Sequence, residues 1–161
     1  MRGESMITVI KVDPSGESVQ TLVAELDAYQ ASLYPPESNH LDSARLLSQD
    51  HAQMFAAEID GVVAGCGAVK IFDQYAELKR MFVLESYRGR GVARMLLDRL
   101  EREALVSGRA RICLETGIRQ TAALTFYRSN GYIERGPYAA YEADPFSVFM
   151  EKTFSGPALE K

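Results

Sequence analysis

Between residues 6 and 12 the chain reads MITVIKV, a β-branched apolar run that stops at Asp13-Pro14-Ser15-Gly16, four turn formers in a row. This predicts a first strand. From 17 to 33 the spacing changes: Val19, Leu22, Val23, Leu26, Tyr29 and Leu33 recur at three and four, the period of a helix with one buried face, until Pro35-Pro36 stops it. A polar, proline-containing loop over 34–41 and a shorter helix over 42–49, with Asp42 as its N-cap, are expected next. The period then shortens. Residues 51–59, 62–72 and 76–84 read as three strands of an antiparallel meander, the first two joined by a tight Asp60-Gly61 turn. Val92, Met95, Leu96, Leu100, Ala104 and Leu105 restore the helical spacing over 92–106, and Ser107-Gly108 ends it. A fifth strand over 111–115, a helix over 119–129 ending at Asn130-Gly131, and a last pair of strands over 132–134 and 147–154 complete the pattern. Residues 155–161 read as a tail.

With no internal repeat and no linker composition, these elements predict one domain over 1–161 with its core at about 6–154. A meander combined with right-handed crossovers makes the class α/β (α+β), with a mixed, mostly antiparallel sheet. At 161 residues, 47% of them hydrophobic, the chain buries roughly 68–70% of its unfolded surface and needs no disulfide or metal to hold a core. Cys66 and Cys113 each sit in an apolar run, 47 positions apart, without a His or Cys at metal-ligand spacing. Both are expected in the core, and no metal is expected. His40 and His51, in a loop and at a strand start, offer no partner for a cysteine nucleophile. No apolar run reaches the ~18 residues of a membrane span and the N-terminus is polar, so a cytoplasmic protein is the expectation.

Charge points to one segment. The chain carries 18 basic and 22 acidic residues, net -4, and so does not attract nucleic acid as a whole. Yet from Lys79 to Arg94 five basic residues stand against the single acid Glu85. Inside that window Arg88-Gly89-Arg90-Gly91-Val92-Ala93 lies between a strand end and a helix start. Glycines there let backbone approach a ligand, and first-turn N–H groups with the helix dipole make an anion site. A solvated basic helix start with glycines serving only the turn fits the same residues. The segment lacks the Gly-Lys-Ser/Thr of a P-loop, and a dinucleotide fingerprint wants a small residue where Arg94 stands.

What remains, Arg-x-x-Gly-x-Ala, resembles the pyrophosphate loop of the GNAT family of N-acetyltransferases. The runs 77–83, 87–94, 114–117 and 122–132 follow that family's order and spacing. The resemblance implies a single-domain acyl-CoA N-acyltransferase fold with helices on both faces of the sheet. It implies acetyl-CoA as cosubstrate, lying where the fourth and fifth strands splay, with its pantetheine arm along Met81, Phe82 and Val83. The Met81 N–H would polarise the thioester carbonyl and Val83 would bond the pantetheine amide. Arg88, Gly89, Arg90, Gly91, Val92, Ala93 and Arg94 would cradle the pyrophosphate, and Gln120 stands where the family often has a cofactor-touching asparagine.

Two catalytic roles follow from the resemblance, each with an alternative. Tyr127 is at the position of a tyrosine that faces the CoA sulfur and protonates the leaving thiolate; the alternative is a packed aromatic with a polar handle. Glu77 is at the position of a glutamate that deprotonates the amine directly or through water, and strand alternation places it on one side with Lys79, Met81 and Val83. The alternative for Glu77 is an ion pair with Lys79 or Arg80. The implied reaction is direct attack of a primary amine, on a small molecule, a lysine or an N-terminus, within a ternary complex. A non-catalytic acyl-CoA-binding regulatory module is the contrasting class. The acceptor pocket is expected between 29–41 and 137–146, which offer Tyr34, Glu37, His40, Tyr138, Tyr141, Glu142 and Asp144. Neither nucleic acid nor membrane is expected as a partner, and a homodimer is left open.

Overall fold

Seven strands form one sheet in the order β1-β2-β3-β4-β5-β7-β6 in the computed structural model, which describes residues 6–33, 52–139 and 141–154. The strands are β1 (Ile7–Val12), β2 (Ala52–Ile59), β3 (Val62–Ile71), β4 (Ala76–Val83), β5 (Arg111–Gly117), β6 (Ile133–Arg135) and β7 (Ser147–Thr153). The helices are α1 (Glu17–Leu33), α2 (Val92–Val106) and α3 (Thr121–Ser129). The expected helix over 42–49, the loop before it and the tail over 155–161 lie outside the described residues. Every strand pairing is antiparallel except β4 with β5. The β2–β3 hairpin turns on Asp60 and Gly61, both at positive φ (52° and 77°), which suits the right-handed twist of the flanking strands.

The two faces of the sheet are covered differently. On one, Phe55, Val69, Leu78 and Leu114 pack beneath the apolar stripe of α2 (Leu96, Leu97, Leu100, Ala104) and beneath Leu124 and Tyr127 of α3. On the other, Met54, Cys66 and Ala68 meet Val19, Leu22 and Val23 of α1. Cys66 and Cys113 are buried free thiols, as their apolar surroundings predict, and burial pushes the Cys66 thiol up to about 12. No described helix is long and apolar enough to cross a membrane, and no group of three or more described His, Cys, Asp or Glu could hold a metal.

Two irregularities shape β4. The first is a bulge: Cys66 pairs with Phe82 and Ala68 with Lys79, so Arg80 and Met81 together oppose Gly67. Arg80 takes φ 59°, a conformation a β-carbon disfavours. Gly67 lies opposite it, where a Cβ would stand 2.5 Å from Met81 Sδ and 2.8 Å from Leu100 Cδ1 and would make those side chains shift. The extra residue reverses the alternation of the strand. Leu78, Met81 and Val83 join the α2-facing core while Phe82 joins the α1-facing one. The expectation that Glu77 and Lys79 share a side with Met81 and Val83 is therefore corrected: both lie on the opposite face, Lys79 paired across from Ala68 of the α1-facing core.

The second irregularity is a divergence. β4 pairs with β5 at only three positions, Ala76 with Ile112, Glu77 with Cys113 and Leu78 with Leu114. Beyond these β5 continues along β7 as far as Gly117 with Ser147, and β4 turns away with β3. Between them a V-shaped gap opens.

Candidate functional site

The gap widens into a cleft of about 440 Å³ between the β4 edge, the β4–α2 turn and the first part of α3, with Leu26 and Tyr29 of α1 on its rim. Of the residues singled out for coenzyme binding, Met81, Phe82, Val83, Arg88, Gly89, Gly91, Val92, Ala93, Arg94, Gln120 and Tyr127 all line it. Arg90 does not; its guanidinium lies over the Tyr87 ring, 5.1 Å from the centroid.

The β4–α2 turn is shaped by backbone. Glu85–Tyr87 makes one 3₁₀ turn, and Gly89 and Gly91 follow with φ of 80° and 84°. A Cβ at either would meet nothing within 4 Å, so the left-handed conformation, rather than crowding, calls for glycine there. Gly91 is the N-cap of α2 and supplies no capping side chain. No acid stands in the first turn, so the N–H groups of Val92, Ala93 and Arg94 keep their dipole for a ligand. Of the arginines, Arg88 donates from Nε to the Val83 carbonyl at 3.1 Å and lies over Phe82. Arg94 pairs with Asp98 at 3.1 Å on the helix surface.

A second helix start, that of α3, opens on the same cleft through Gln120, Thr121 and Ala122. The Gln120 carbonyl oxygen accepts the Gly117 N–H at 3.0 Å, which ties the end of β5 to this helix. One turn further on, Tyr127 is buried against Phe126 and Tyr132 with ring centroids 5.4 and 5.6 Å away. Burial raises its pKa well above the ordinary phenol value. Tyr127 is thus a packed aromatic that also lines the cleft wall.

Glu77 is not part of the cleft lining. Its Oε2 accepts the hydroxyl of Tyr138 at 2.5 Å and that of Tyr141 at 2.8 Å. Lys79 Nζ stands 3.9 Å from Glu77 Oε1 and donates to the Tyr141 oxygen at 3.0 Å. The ion pair with Lys79 foreseen as the alternative is present. Burial, then the Glu77 charge and hydrogen bond, push the Tyr138 hydroxyl far above its ordinary value. Tyr75, Tyr138, Tyr141 and Phe149 close over the carboxylate in edge-on and tilted contacts.

Arg80 turns instead to α1, where its guanidinium is hydrogen-bonded to Asp27; its buried Nε has no partner among the described residues. Glu115, at the end of β5, accepts the Ser147 hydroxyl at 2.6 Å. Asp144 accepts the Phe146 N–H at 2.8 Å and Glu142 is exposed, while Tyr34, Glu37 and His40 lie outside the described residues. Sequence reasoning named Tyr138 and Tyr141 as pocket residues without their tie to Glu77, and it missed the Asp27–Arg80 pair. Both join segments more than fifty residues apart, and no spacing rule reaches that far.

Three comparisons bear on this geometry. A family model described as "Acetyltransferase (GNAT) family" matches residues 19–132. A protein of Azospirillum brasilense named "IAA acetyltransferase" is 41% identical over 148 residues, 91% of this chain and 97% of that one. A solved structure from Klebsiella pneumoniae, assigned to the acyl-CoA N-acyltransferases, superposes with a TM-score of 0.79 at 33% identity over 93% of this chain and 99% of its own. At 19% identity, a Thermoplasma acidophilum N-acetyltransferase solved with coenzyme A shares the fold, with a TM-score of 0.72 over 92% of this chain and 99% of its own.

Proposed function

Because the chain belongs to the GNAT family of acetyltransferases, we propose that the acceptor is a primary amine, attacking the thioester directly within a ternary complex. The protein is an acyltransferase, and acetyl-CoA is its acetyl donor. The observation that carries the site reading is the cleft itself. One cavity gathers the β4 edge, the left-handed Gly89-Arg90-Gly91 turn, the bare start of α2 and the Tyr127 ring, which are the parts that a diphosphate, a pantetheine arm and a departing sulfur each require.

In this reading the N–H groups of 92–94 bind the pyrophosphate and the edge at 81–83, which β5 does not pair, aligns the pantetheine arm. The Met81 N–H polarises the thioester carbonyl, a kind of donor worth roughly 3–4 kcal/mol in other enzymes. Tyr127 supplies a proton to the thiolate as it leaves. An amine with a pKa of ~10.4 is almost wholly protonated at neutral pH and must lose a proton before attacking. Glu77 is the carboxylate that accepts it. A cytoplasmic setting goes with this reading.

A panel of primary amines assayed for free-thiol release from acetyl-CoA tests the reading, with IAA run beside it as a separate arm because the Azospirillum relative bears its name. Thiol release coupled to an acetylated amine is expected. Coenzyme binding with no turnover on any amine would make the chain an acyl-CoA-binding module instead.

A further inference from the structure

We propose that Tyr141 carries the acceptor's proton to Glu77, so that the Tyr141 hydroxyl is the group that touches the attacking nitrogen. This rests on the reading of Glu77 as proton acceptor and supplies a route for it. Glu77 is 3% exposed beneath Tyr138 and Tyr141, so an amine does not reach the carboxylate directly. Among the described residues, two phenols are hydrogen-bonded to Oε2, and either can pass it a proton. Tyr138 is 6% exposed and packs between Cys113 and Phe149, so its path leads inward. Tyr141 is only half-buried.

The position of that hydroxyl fits the task. Glu77 and Leu78 are the last β4 residues paired with β5, and Lys79 begins the diverging edge two residues before Met81. The Tyr141 hydroxyl, bonded to both Glu77 and Lys79, is thereby tied to the two residues between which β4 leaves β5. The Arg80 bulge turns this group to the α1-facing side, while the phosphate-binding turn leads into α2 on the other. Donor and acceptor can then approach the thioester from opposite faces.

The step balances. The nitrogen lone pair forms the new C–N bond at the thioester carbon as the C–S bond breaks. Before attack, one proton of the acceptor ammonium moves to the Tyr141 oxygen while the proton of Tyr141 passes to Glu77 Oε2, which frees that lone pair; the second N–H proton is lost to solvent once the C–N bond has formed. The thiolate takes a proton from Tyr127. Glu77 afterwards returns its proton to solvent along the same path, and Tyr127 recovers one from solvent. Since phenol accepts and donates in one motion, no free phenolate forms. The titratable and charged groups facing Glu77 are Lys79 on its own strand, Lys70 opposite on β3, Cys113 opposite on β5, and Tyr75, Tyr138 and Tyr141 above it. Arg111 and Arg135 lie one ring further out.

Three variants, Tyr141→Phe, Tyr138→Phe and Glu77→Gln, decide the matter through kcat measured from about pH 6 to 10, with coenzyme affinity as the check on folding. For Tyr141→Phe, kcat is expected to fall about 100-fold and to climb about tenfold per pH unit without a plateau, at unchanged coenzyme affinity. Tyr138→Phe removes a hydrogen bond to the same carboxylate and should cost less, about tenfold in kcat, with the parental pH limb kept. The relay is overturned if Tyr141→Phe keeps the parental rate and pH limb, or if both Phe variants lose equally, which would mark a structural clamp. A large loss in Glu77→Gln alone would sink the relay and leave the proton-acceptor reading standing, whereas no loss in either would sink both. Should Glu77→Gln lose coenzyme affinity, the contrast between the two Phe variants decides alone.

Discussion

The two sides of the gap are built by different means. On the side proposed for the coenzyme, residues 81–94 form one continuous stretch of backbone features: a strand edge, two left-handed glycines and a bare helix start. On the side proposed for the acceptor, side chains meet from separated parts of the chain, Asp27 with Arg80 and Glu77 and Lys79 with Tyr138 and Tyr141. The contrast follows from what each must recognise. A diphosphate asks for N–H groups, which every residue but proline has, so a short motif that bends the backbone suffices. An acceptor asks for particular side chains in particular places, and only tertiary structure can place them.

The change expected to hurt most lies on the backbone side. Gly91→Val puts a β-branched residue at φ 84° and fills the space where the pyrophosphate approaches. The strain alone costs about 1–2 kcal/mol. Coenzyme affinity measured by calorimetry should drop by about 100-fold or more, on the scale of two lost charge-assisted hydrogen bonds. Undiminished affinity would mean that the turn is not the phosphate site.

Tyr127→Phe should lower kcat by about 100-fold at unchanged coenzyme affinity. Its pH dependence carries a sign. The donor works protonated, and burial raises its pKa, so the proton is held to higher pH. The parent should show no alkaline decline from this group below about pH 10.

Asp27→Asn removes the partner of the buried Arg80 guanidinium at the bulge. With Asp27 itself about half exposed, a stability loss of about 1–2 kcal/mol by denaturant titration is expected, below the range for fully buried pairs. The acceptor KM should rise while coenzyme affinity holds, and the reverse pattern would contradict the division between the two sides. Arg90→Ala should matter least, changing coenzyme affinity by no more than about twofold, since this exposed guanidinium stacks on Tyr87 and lies outside the cleft wall. A larger loss would show that side-chain charge, and not backbone, holds the phosphate.

That division also governs what was legible beforehand. The bounds of α1 and α2 follow from the periodicity and its stop signals, because one amphipathic face and one cap are local properties. The Arg88–Arg94 turn was legible for the same reason. The bulge was not: it sits opposite Gly67, thirteen positions earlier, and nothing in Glu77-Leu78-Lys79-Arg80 announces a residue at positive φ. Simple alternation therefore put Glu77 on the wrong face. The hydrogen bonds from Tyr138 and Tyr141 span 61 and 64 residues, so even with all three residues named, their meeting was beyond local rules.

The brevity of the β4–β5 contact has a mechanical consequence. Three residue pairs are all the lateral pairing that joins β1–β4 to the block of β5, β7 and β6. A coenzyme lying in the gap acts as a splint across that seam. Amide exchange at the β4 and β5 backbone should slow on loading, and the melting point should climb with the logarithm of coenzyme concentration. The resting enzyme, on this view, is a molecule with a built-in crease that its own cosubstrate stiffens.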